Sequence, residues 1–196
     1  TYGQLGARSL AETGQWNHAQ SSYWLIANRV SHLFKFHGPS MAIDSACSAS
    51  STAIHLAVAA IRSDECSMAL AGGVNLIADP LHHARLSALG NLSSDGNTHS
   101  FGKRGDGFGG GEGVGAVLLK PLSRAQQDKD HIYGIIKGSA ANAGGYFSPD
   151  PTYQGKVVQK ALQEAGVAPE SISYVEAHGT GTSFGDPIEL RGLIKA

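Results

Sequence analysis

The spacing of apolar residues along the chain predicts a series of helices. From Tyr23 to Phe36 apolar side chains recur at the period of one helical face, and Gly38–Pro39 ends the run. Further helices are predicted over Ser50–Ile61, Pro80–Leu89 and Tyr153–Ala165, and from Pro187 onward. Gly166 is typical of a residue that closes a helix, and Asp186 before Pro187 fits an N-cap.

Short apolar runs between these helices predict strands. They comprise Met41–Ile43, Ser67–Val74, Val114–Leu119, Ile132–Ala140 and Ser173–Ala177. The first four are apolar enough to be buried on both faces. The stretch from Asn91 to Gly113 is rich in glycine and aperiodic, which predicts a loop. Strands that alternate with helices indicate an α/β layered fold with a mainly parallel sheet.

The composition narrows the class of protein. Lys and Arg number 15 and Asp and Glu number 16, so the formal net charge is −1. This balance removes the electrostatic case for nucleic acid or an anionic membrane as a partner. Hydrophobic residues make up 41% of the chain, which argues against disorder, and the 26 glycines indicate tight turns and close backbone contacts.

Neither a membrane span nor a disulfide framework is predicted. The longest apolar run, Ala53–Ile61, falls far short of the ~20 residues that a span requires. The polar opening segment Thr1–Gln20 does not resemble a signal peptide, and the two cysteines, Cys47 and Cys66, are too few for a framework. We therefore expect a reduced, cytoplasmic protein. With no initiating Met and no closing signal over Leu193–Ala196, the chain is expected to be part of a longer protein.

Cys47 is the first candidate for chemistry. It falls at a turn of small residues between the predicted strand Met41–Ile43 and the predicted helix Ser50–Ile61. Such an elbow presents a nucleophile, and the positive end of the helix favours a thiolate. A buried, inert cysteine is the alternative interpretation, and the local sequence leaves both open. Cys66 is predicted to be inert, because the neighbouring carboxylates of Asp64–Glu65 disfavour a thiolate.

His178 is the second candidate. It ends the predicted strand Ser173–Ala177 and is followed by Gly-Thr-Gly-Thr, in which Thr180 and Thr182 supply hydroxyl groups. An imidazole at the carboxyl end of a strand can face a cleft, and the glycines allow a ligand to approach the backbone. A hydrogen-bonded loop histidine without a catalytic role is the alternative.

Other motifs are not assigned a site. Gly105–Gly110 formally matches G-x-G-x-x-G, but a loop precedes it and the strand Val114–Leu119 follows, so we reject a dinucleotide site. No metal site is predicted, because the spacing around His82–His83 and His99 is not that of metal ligands. His55 is expected to be a satisfied core histidine.

Three segments together resemble the signature segments of β-ketoacyl synthases. They are Asp44–Ser50 (Asp-Ser-Ala-Cys-Ser-Ala-Ser), Glu176–Thr182 (Glu-Ala-His-Gly-Thr-Gly-Thr) and Gly185–Glu189 (Gly-Asp-Pro-Ile-Glu). More narrowly, the chain resembles the ketosynthase domains of modular type I polyketide synthases, also through Tyr23–Ser31 and Asp130–Gly138. The resemblance covers essentially the whole chain, and it selects the nucleophile interpretation of Cys47.

The resemblance implies a thiolase-like fold of two similar α/β halves, with helices packed on mixed, mainly parallel sheets, in a homodimer. It implies that Cys47 accepts an acyl chain from the phosphopantetheine arm of an acyl carrier protein. A malonyl-type extender then loses carbon dioxide, and its enolate attacks the acyl-Cys47 thioester to give a β-ketoacyl product. His178 would donate from Nε2 to the enolate oxygen, while Thr180 and Thr182 would bind the pantetheine. No cofactor bound by the domain itself is implied, and neighbouring synthase domains are further partners.

The chain departs from the family pattern in two ways. The usual Asp-Thr-Ala-Cys-Ser-Ser-Ser has Ser45 and Ala49 here, and neither change removes the nucleophile. The family's second catalytic histidine, its lysine and a Gly-Phe-Gly segment belong beyond Ala196. Residues 1–196 are therefore expected to be the central part of one ketosynthase domain, inactive alone and lacking its amino-terminal and carboxyl-terminal portions. Two alternatives are a non-condensing domain that only holds or transfers acyl chains, and a fatty-acid-type β-ketoacyl synthase.

Overall fold

The computed structural model describes residues 2–15, 22–145 and 148–196. The chain divides into two units. The first consists of Thr1–Pro80 and Glu112–Asp130, and the second of Leu81–Gly111 and His131–Ala196. Each unit is therefore assembled from two stretches that are separated in sequence.

Helices dominate the described residues. In chain order the α-helices are α1 (Tyr2–Thr13), α2 (Trp24–Phe34), α3 (Ala49–Arg62), α4 (Pro80–Ala88), α5 (Leu122–Gln127), α6 (Pro151–Ala165) and α7 (Gly185–Lys195). Two short 3₁₀ turns cover Ala46–Ser48 and Pro169–Ser171, and the strands are β1 (Ala69–Asn75) and β2 (Gly113–Leu119). The predicted helices are confirmed as α2, α3, α4, α6 and α7, whereas α1 and α5 were not predicted. None of the described helices is long and apolar enough to cross a membrane.

The two strands of the first unit form an antiparallel pair. Ala69 lies opposite Leu119, and Asn75 lies opposite Gly113. This pairing differs from the expected mainly parallel one, and the described residues show a parallel arrangement at the isolated bridge between Leu92 and Phe108. Helix α3 packs on β1, and Gly73 allows the close approach, since a Cβ atom there would lie 2.8 Å from the Cβ of Ser50. Ser50 is three residues after Cys47, so this contact sets the position of the helix that follows the cysteine.

Several strand predictions are wrong. Met41–Ile43, Ile132–Ala140 and Ser173–Ala177 form no strand in the described part of the chain. Apolar runs supply side chains for a core, but a strand also needs a neighbouring backbone to complete its hydrogen-bond ladder. Burial on both faces is also wrong for β2, which is exposed from Gly113 to Leu118, with Val114 84% exposed.

In the second unit, α6 and α7 pack closely through glycines. A Cβ atom at Gly155 would lie 3.0 Å from the carbonyl oxygen of Gly192. The start of α6 is capped by Asp150, whose Oδ1 accepts from the N–H of Thr152 at 2.7 Å. Its end has Gly166 in the left-handed conformation at φ 61°, as predicted from the sequence. These contacts fix α7, the helix that supplies carboxylates to the site described below.

Candidate active site

Cys47 lies in a short turn that leads directly into a long helix. The cysteine turn, residues 44–49, contains the 3₁₀ segment Ala46–Ser48, and α3 begins at Ala49. The thiol is exposed, which contradicts the interpretation of Cys47 as a buried cysteine. The prediction of a turn before the helix is confirmed, although Met41–Ile43 is not a strand.

The backbone of the cysteine turn is strained at Ala46. Its φ of 53° lies in the left-handed region, which costs a residue with a Cβ atom roughly 1–2 kcal/mol. Local hydrogen bonds hold the turn in this shape. The N–H of Ala46 donates to Oδ1 of Asp44 at 3.2 Å, and Oγ of Ser48 donates to the carbonyl of Ser45 at 2.9 Å. Strain of this kind, maintained by surrounding contacts, is typical of functional sites.

The electrostatic setting of the cysteine turn suits a negative charge. Helix α3 has 14 residues and no acidic side chain in its first turn. Its aligned peptide dipoles place partial positive charge at the amino end, where Cys47 lies. The exposed sulfur of Cys47 therefore lies where the helix offers partial positive charge.

His178 lies in a turn whose backbone is hydrogen-bonded to Glu189 of helix α7. The histidine turn comprises residues 178–182. The N–H of His178 donates to Oε1 of Glu189 at 2.6 Å, and the N–H of Gly179 donates to Oε2 at 2.8 Å. One carboxylate thus binds two successive backbone groups, and the exposed imidazole of His178 takes no part in these bonds.

Asp186 of α7 is a second carboxylate that is hydrogen-bonded to the histidine turn. The side chain is 7% exposed. Its Oδ1 accepts from the N–H of Gly181 at 3.0 Å, and its Oδ2 accepts from the N–H of Phe101 at 2.5 Å. Helix α7 already begins at Gly185 and Asp186 makes no cap bond to it. The N-cap prediction is therefore wrong, because the buried carboxylate binds distant N–H groups instead.

Thr180 and Thr182 are brought together within the histidine turn. Their Oγ1 atoms lie 3.1 Å apart, and Oγ1 of Thr182 accepts from the N–H of Gly185 at 2.9 Å. Two hydroxyl groups carry two protons, and the bond between them uses one. One hydroxyl proton of the pair is therefore not used in this bond.

The predicted site residues divide between the units. Cys47 belongs to the first, whereas His178, Thr180 and Thr182 belong to the second. Sequence reasoning missed Glu189 as the carboxylate behind His178. The available signal was its place in Gly185–Glu189, a segment that already drew attention as a motif. No cluster of three or more His, Cys, Asp or Glu side chains suited to a metal ion occurs in residues 2–15, 22–145 and 148–196.

Comparison with known families identifies the chain. Residues 3–125 match the model of the β-ketoacyl synthase N-terminal domain, and residues 133–196 match that of the C-terminal domain. The chain belongs to the β-ketoacyl synthase family. The chain leaves the first unit after Asp130 and enters the second at His131, and this boundary falls between the two matched segments of the ketoacyl synthase chain.

Curated relatives place this ketoacyl synthase chain among the polyketide synthases. It is 53% identical over 199 residues to polyketide synthase PksM of Bacillus subtilis, covering 100% of the chain and 5% of that protein. It is 55% identical over 196 residues to PksL of the same organism, covering 98% of the chain and 4% of that protein. The chain thus spans a small part of the proteins that it matches.

Solved structures establish the fold. The oxazolomycin ketosynthase domain OzmH KS7 of Streptomyces albus superposes with a TM-score of 0.93 at 47% identity, covering 98% of this chain and 34% of that one. A ketosynthase from module 6 of the bacillaene synthase of Bacillus subtilis gives 0.84 at 42% identity, covering 88% and 32%. The α/β, thiolase-like fold expected from the sequence is confirmed.

Proposed function

We propose that the chain is the central part of one ketosynthase domain of a polyketide assembly line, and that Cys47 and His178 perform its chemistry. The observation that carries the proposal is the exposed Cys47 at the amino end of α3, in a chain that matches ketosynthases along its whole length. In the first step the Cys47 thiolate attacks the thioester carbonyl of an acyl carrier protein. The acyl group moves to the sulfur of Cys47, the bond between the acyl carbon and the phosphopantetheine sulfur breaks, and that sulfur leaves as a thiolate.

The second step forms a carbon–carbon bond. A malonyl-type thioester on a carrier protein loses carbon dioxide, and the electron pair of the broken bond becomes an enolate. His178 donates a hydrogen bond from Nε2 to the enolate oxygen, where negative charge develops. The enolate carbon attacks the acyl-Cys47 carbonyl, and the thiolate of Cys47 leaves as the β-ketoacyl thioester forms.

The histidine turn supports the proposed roles of its other side chains. The hydroxyl proton that remains between Thr180 and Thr182 is suited to an amide carbonyl of the pantetheine arm. The substrates arrive on the phosphopantetheine of carrier proteins, so the domain itself is proposed to bind no cofactor. Carrier proteins, neighbouring synthase domains and a second copy in a homodimer are the proposed partners, and the cytoplasm is the proposed location.

The test uses the complete ketosynthase domain with intact-protein and product mass spectrometry. Cys47→Ala should abolish acyl loading, whereas Cys66→Ala, the matched control at a half-buried thiol, should retain loading and condensation. His178→Ala should retain loading and lower the condensation rate by about 10²–10³-fold, the effect of losing one oxyanion donor. Equal loss of both activities in His178→Ala would mean that the histidine activates the thiol. A wild-type domain that loads but never condenses would be a non-condensing domain.

A further inference from the structure

The glycine-rich loop over residues 91–110, which contains the rejected G-x-G-x-x-G match at Gly105–Gly110, contacts the histidine turn directly. From this geometry we infer that Ser100 is a positioning residue for His178. The inference rests on the proposed function, in which the His178 imidazole donates to an enolate oxygen. It assigns to the loop the role of orienting the peptide group between Gly179 and Thr180, one residue beyond the histidine.

The central contact joins Ser100 to the residue after the histidine. Oγ of Ser100 donates to the carbonyl oxygen of Gly179 at 2.5 Å. A second bond from the same loop runs from the N–H of Gly107 to the carbonyl of Gly181 at 3.0 Å. The loop therefore binds carbonyl groups of the histidine turn, whereas Glu189 and Asp186 on α7 bind its N–H groups.

The conformation of Gly179 depends on hydrogen bonds from other segments. Its φ of 53° lies in the left-handed region, and glycine moves between conformations with little steric resistance. A Cβ atom at Gly179 would lie 3.1 Å from Oγ of Ser100, so the two segments are in close contact. The orientation of the two peptide groups that flank Gly179 thus depends on their hydrogen bonds. Glu189 binds the N–H of the first, and Ser100 binds the carbonyl of the second.

Backbone strain beside Ser100 points to the same role. Phe101 is a bulky residue with φ 57°, in the left-handed region, where such residues are true outliers. Its N–H donates to the buried Asp186 at 2.5 Å, which maintains the conformation. An outlier that surrounding bonds maintain is a reason to look for function at that position. Here the strained residue places the neighbouring Ser100 hydroxyl against Gly179.

Backbone hydrogen bonds within the loop restrain the segment that carries Ser100. Phe108 donates through its N–H to the carbonyl of Asn91 at 2.9 Å, and its own carbonyl accepts from the N–H of Ser93 at 3.1 Å. Gly107 is buried, with φ 154°, and a Cβ atom there would lie 2.4 Å from the backbone carbon of Leu92. These contacts close the two ends of the loop on each other and restrain the segment between them, which contains Ser100.

The experiment compares three variants in the complete ketosynthase domain. Ser100→Ala removes the hydroxyl, Ser100→Thr retains it, and Ser171→Ala removes a similar hydroxyl-to-carbonyl bond, 2.7 Å to Ala168, elsewhere in the same unit. Ser100→Ala should lower kcat for condensation on the order of 10- to 100-fold, as expected for a misplaced catalytic group. Acyl loading on Cys47 should stay within about twofold, because loading does not use the imidazole donor. Ser100→Thr should restore most of kcat, and Ser171→Ala should leave it unchanged.

Two further measurements keep the outcome decisive. Hydrogen exchange should become faster in the peptide that covers 178–182 of Ser100→Ala, with little change elsewhere, even if the variant is less stable. An unchanged kcat in Ser100→Ala, an equal loss in Ser171→Ala, or a loss that Ser100→Thr does not restore would overturn the inference. His178→Ala, assayed in parallel, separates the two proposals. If it condenses normally the proposed function fails, and if it is inactive while Ser100→Ala is normal only the present inference fails.

Discussion

The buried carboxylate of Asp186 permits a sharp stability prediction. Asp186→Ala removes the acceptor of two hydrogen bonds and leaves the N–H groups of Gly181 and Phe101 without it. A hydrogen bond to a charged group contributes about 1.5–3 kcal/mol, and an unsatisfied buried donor costs about 1–3 kcal/mol. Gly181 is buried and Phe101 is not, so the second loss is smaller. We expect the free energy of unfolding to fall by roughly 2–4 kcal/mol.

The variant Asp186→Asn separates this role from helix capping. Asparagine caps a helix about as well as aspartate, so a capping residue would tolerate the change. If the carboxylate instead accepts from two N–H groups, the asparagine amide replaces only one of these acceptors. Its oxygen accepts from one N–H group, and its NH₂ group faces the other donor. Asp186→Asn should therefore lose about half of the energy lost by Asp186→Ala.

The assay is urea unfolding of the complete domain, with the midpoint and the slope determined separately. Glu170→Ala is the matched control, because it removes one exposed carboxylate from the same unit. Its free energy of unfolding should change by at most about 0.5 kcal/mol. An Asp186→Ala variant as stable as this control, or an Asp186→Asn variant as stable as the wild type, would refute the two-bond account.

Two other predictions concern stability. Gly73→Ala should lower the free energy of unfolding by about 1–3 kcal/mol, because the added Cβ would lie 2.8 Å from that of Ser50 and would push α3 away from β1. Gly115→Ala is the control, since no atom lies within 4 Å of its Cβ position. Equal melting temperatures of the two variants would contradict the packing argument. The hydrogen bond from the N–H of Thr152 lowers the pKa of Asp150 below its ordinary value of 3.8. Its stabilising effect is therefore present above that value and is lost as the pH falls through the lowered pKa. The difference in melting temperature between the wild type and Asp150→Ala should be largest near pH 7 and should narrow toward pH 2, and a constant difference would exclude the carboxylate as its cause.

Local sequence patterns predicted the parts of the fold that depend on local interactions. Helix α6 and its closing Gly166 follow from apolar spacing and from a residue that tolerates the left-handed conformation. The cysteine turn before α3 follows from small residues at the start of an apolar helix. In both cases the decisive contacts lie within a few residues of one another, so the chain carries its own signal.

The remaining features depend on residues far apart in sequence. Asp186 before Pro187 has the pattern of an N-cap, but its carboxylate binds the N–H of Phe101, 85 positions away. The run Ile132–Ala140 has the composition of a strand, yet whether it forms one depends on a pairing backbone elsewhere. The left-handed conformation at position 46 is adopted by an alanine, so the sequence lacks the glycine that usually indicates such a conformation. Such features follow from tertiary contacts, which a single sequence does not display.

The interleaving of the two units has a consequence for synthesis on the ribosome. Strand β1 (69–75) leaves the ribosome before its partner β2 (113–119), and residues 76–112 must be translated in between. At about 5–20 residues per second this delay lasts several seconds. During that time the edge of β1 that β2 later covers has no hydrogen-bonded partner, and an unpaired strand edge is a template for association with other chains. We therefore expect the yield of the unit that carries Cys47 to depend on elongation rate and on chaperones that bind nascent chains.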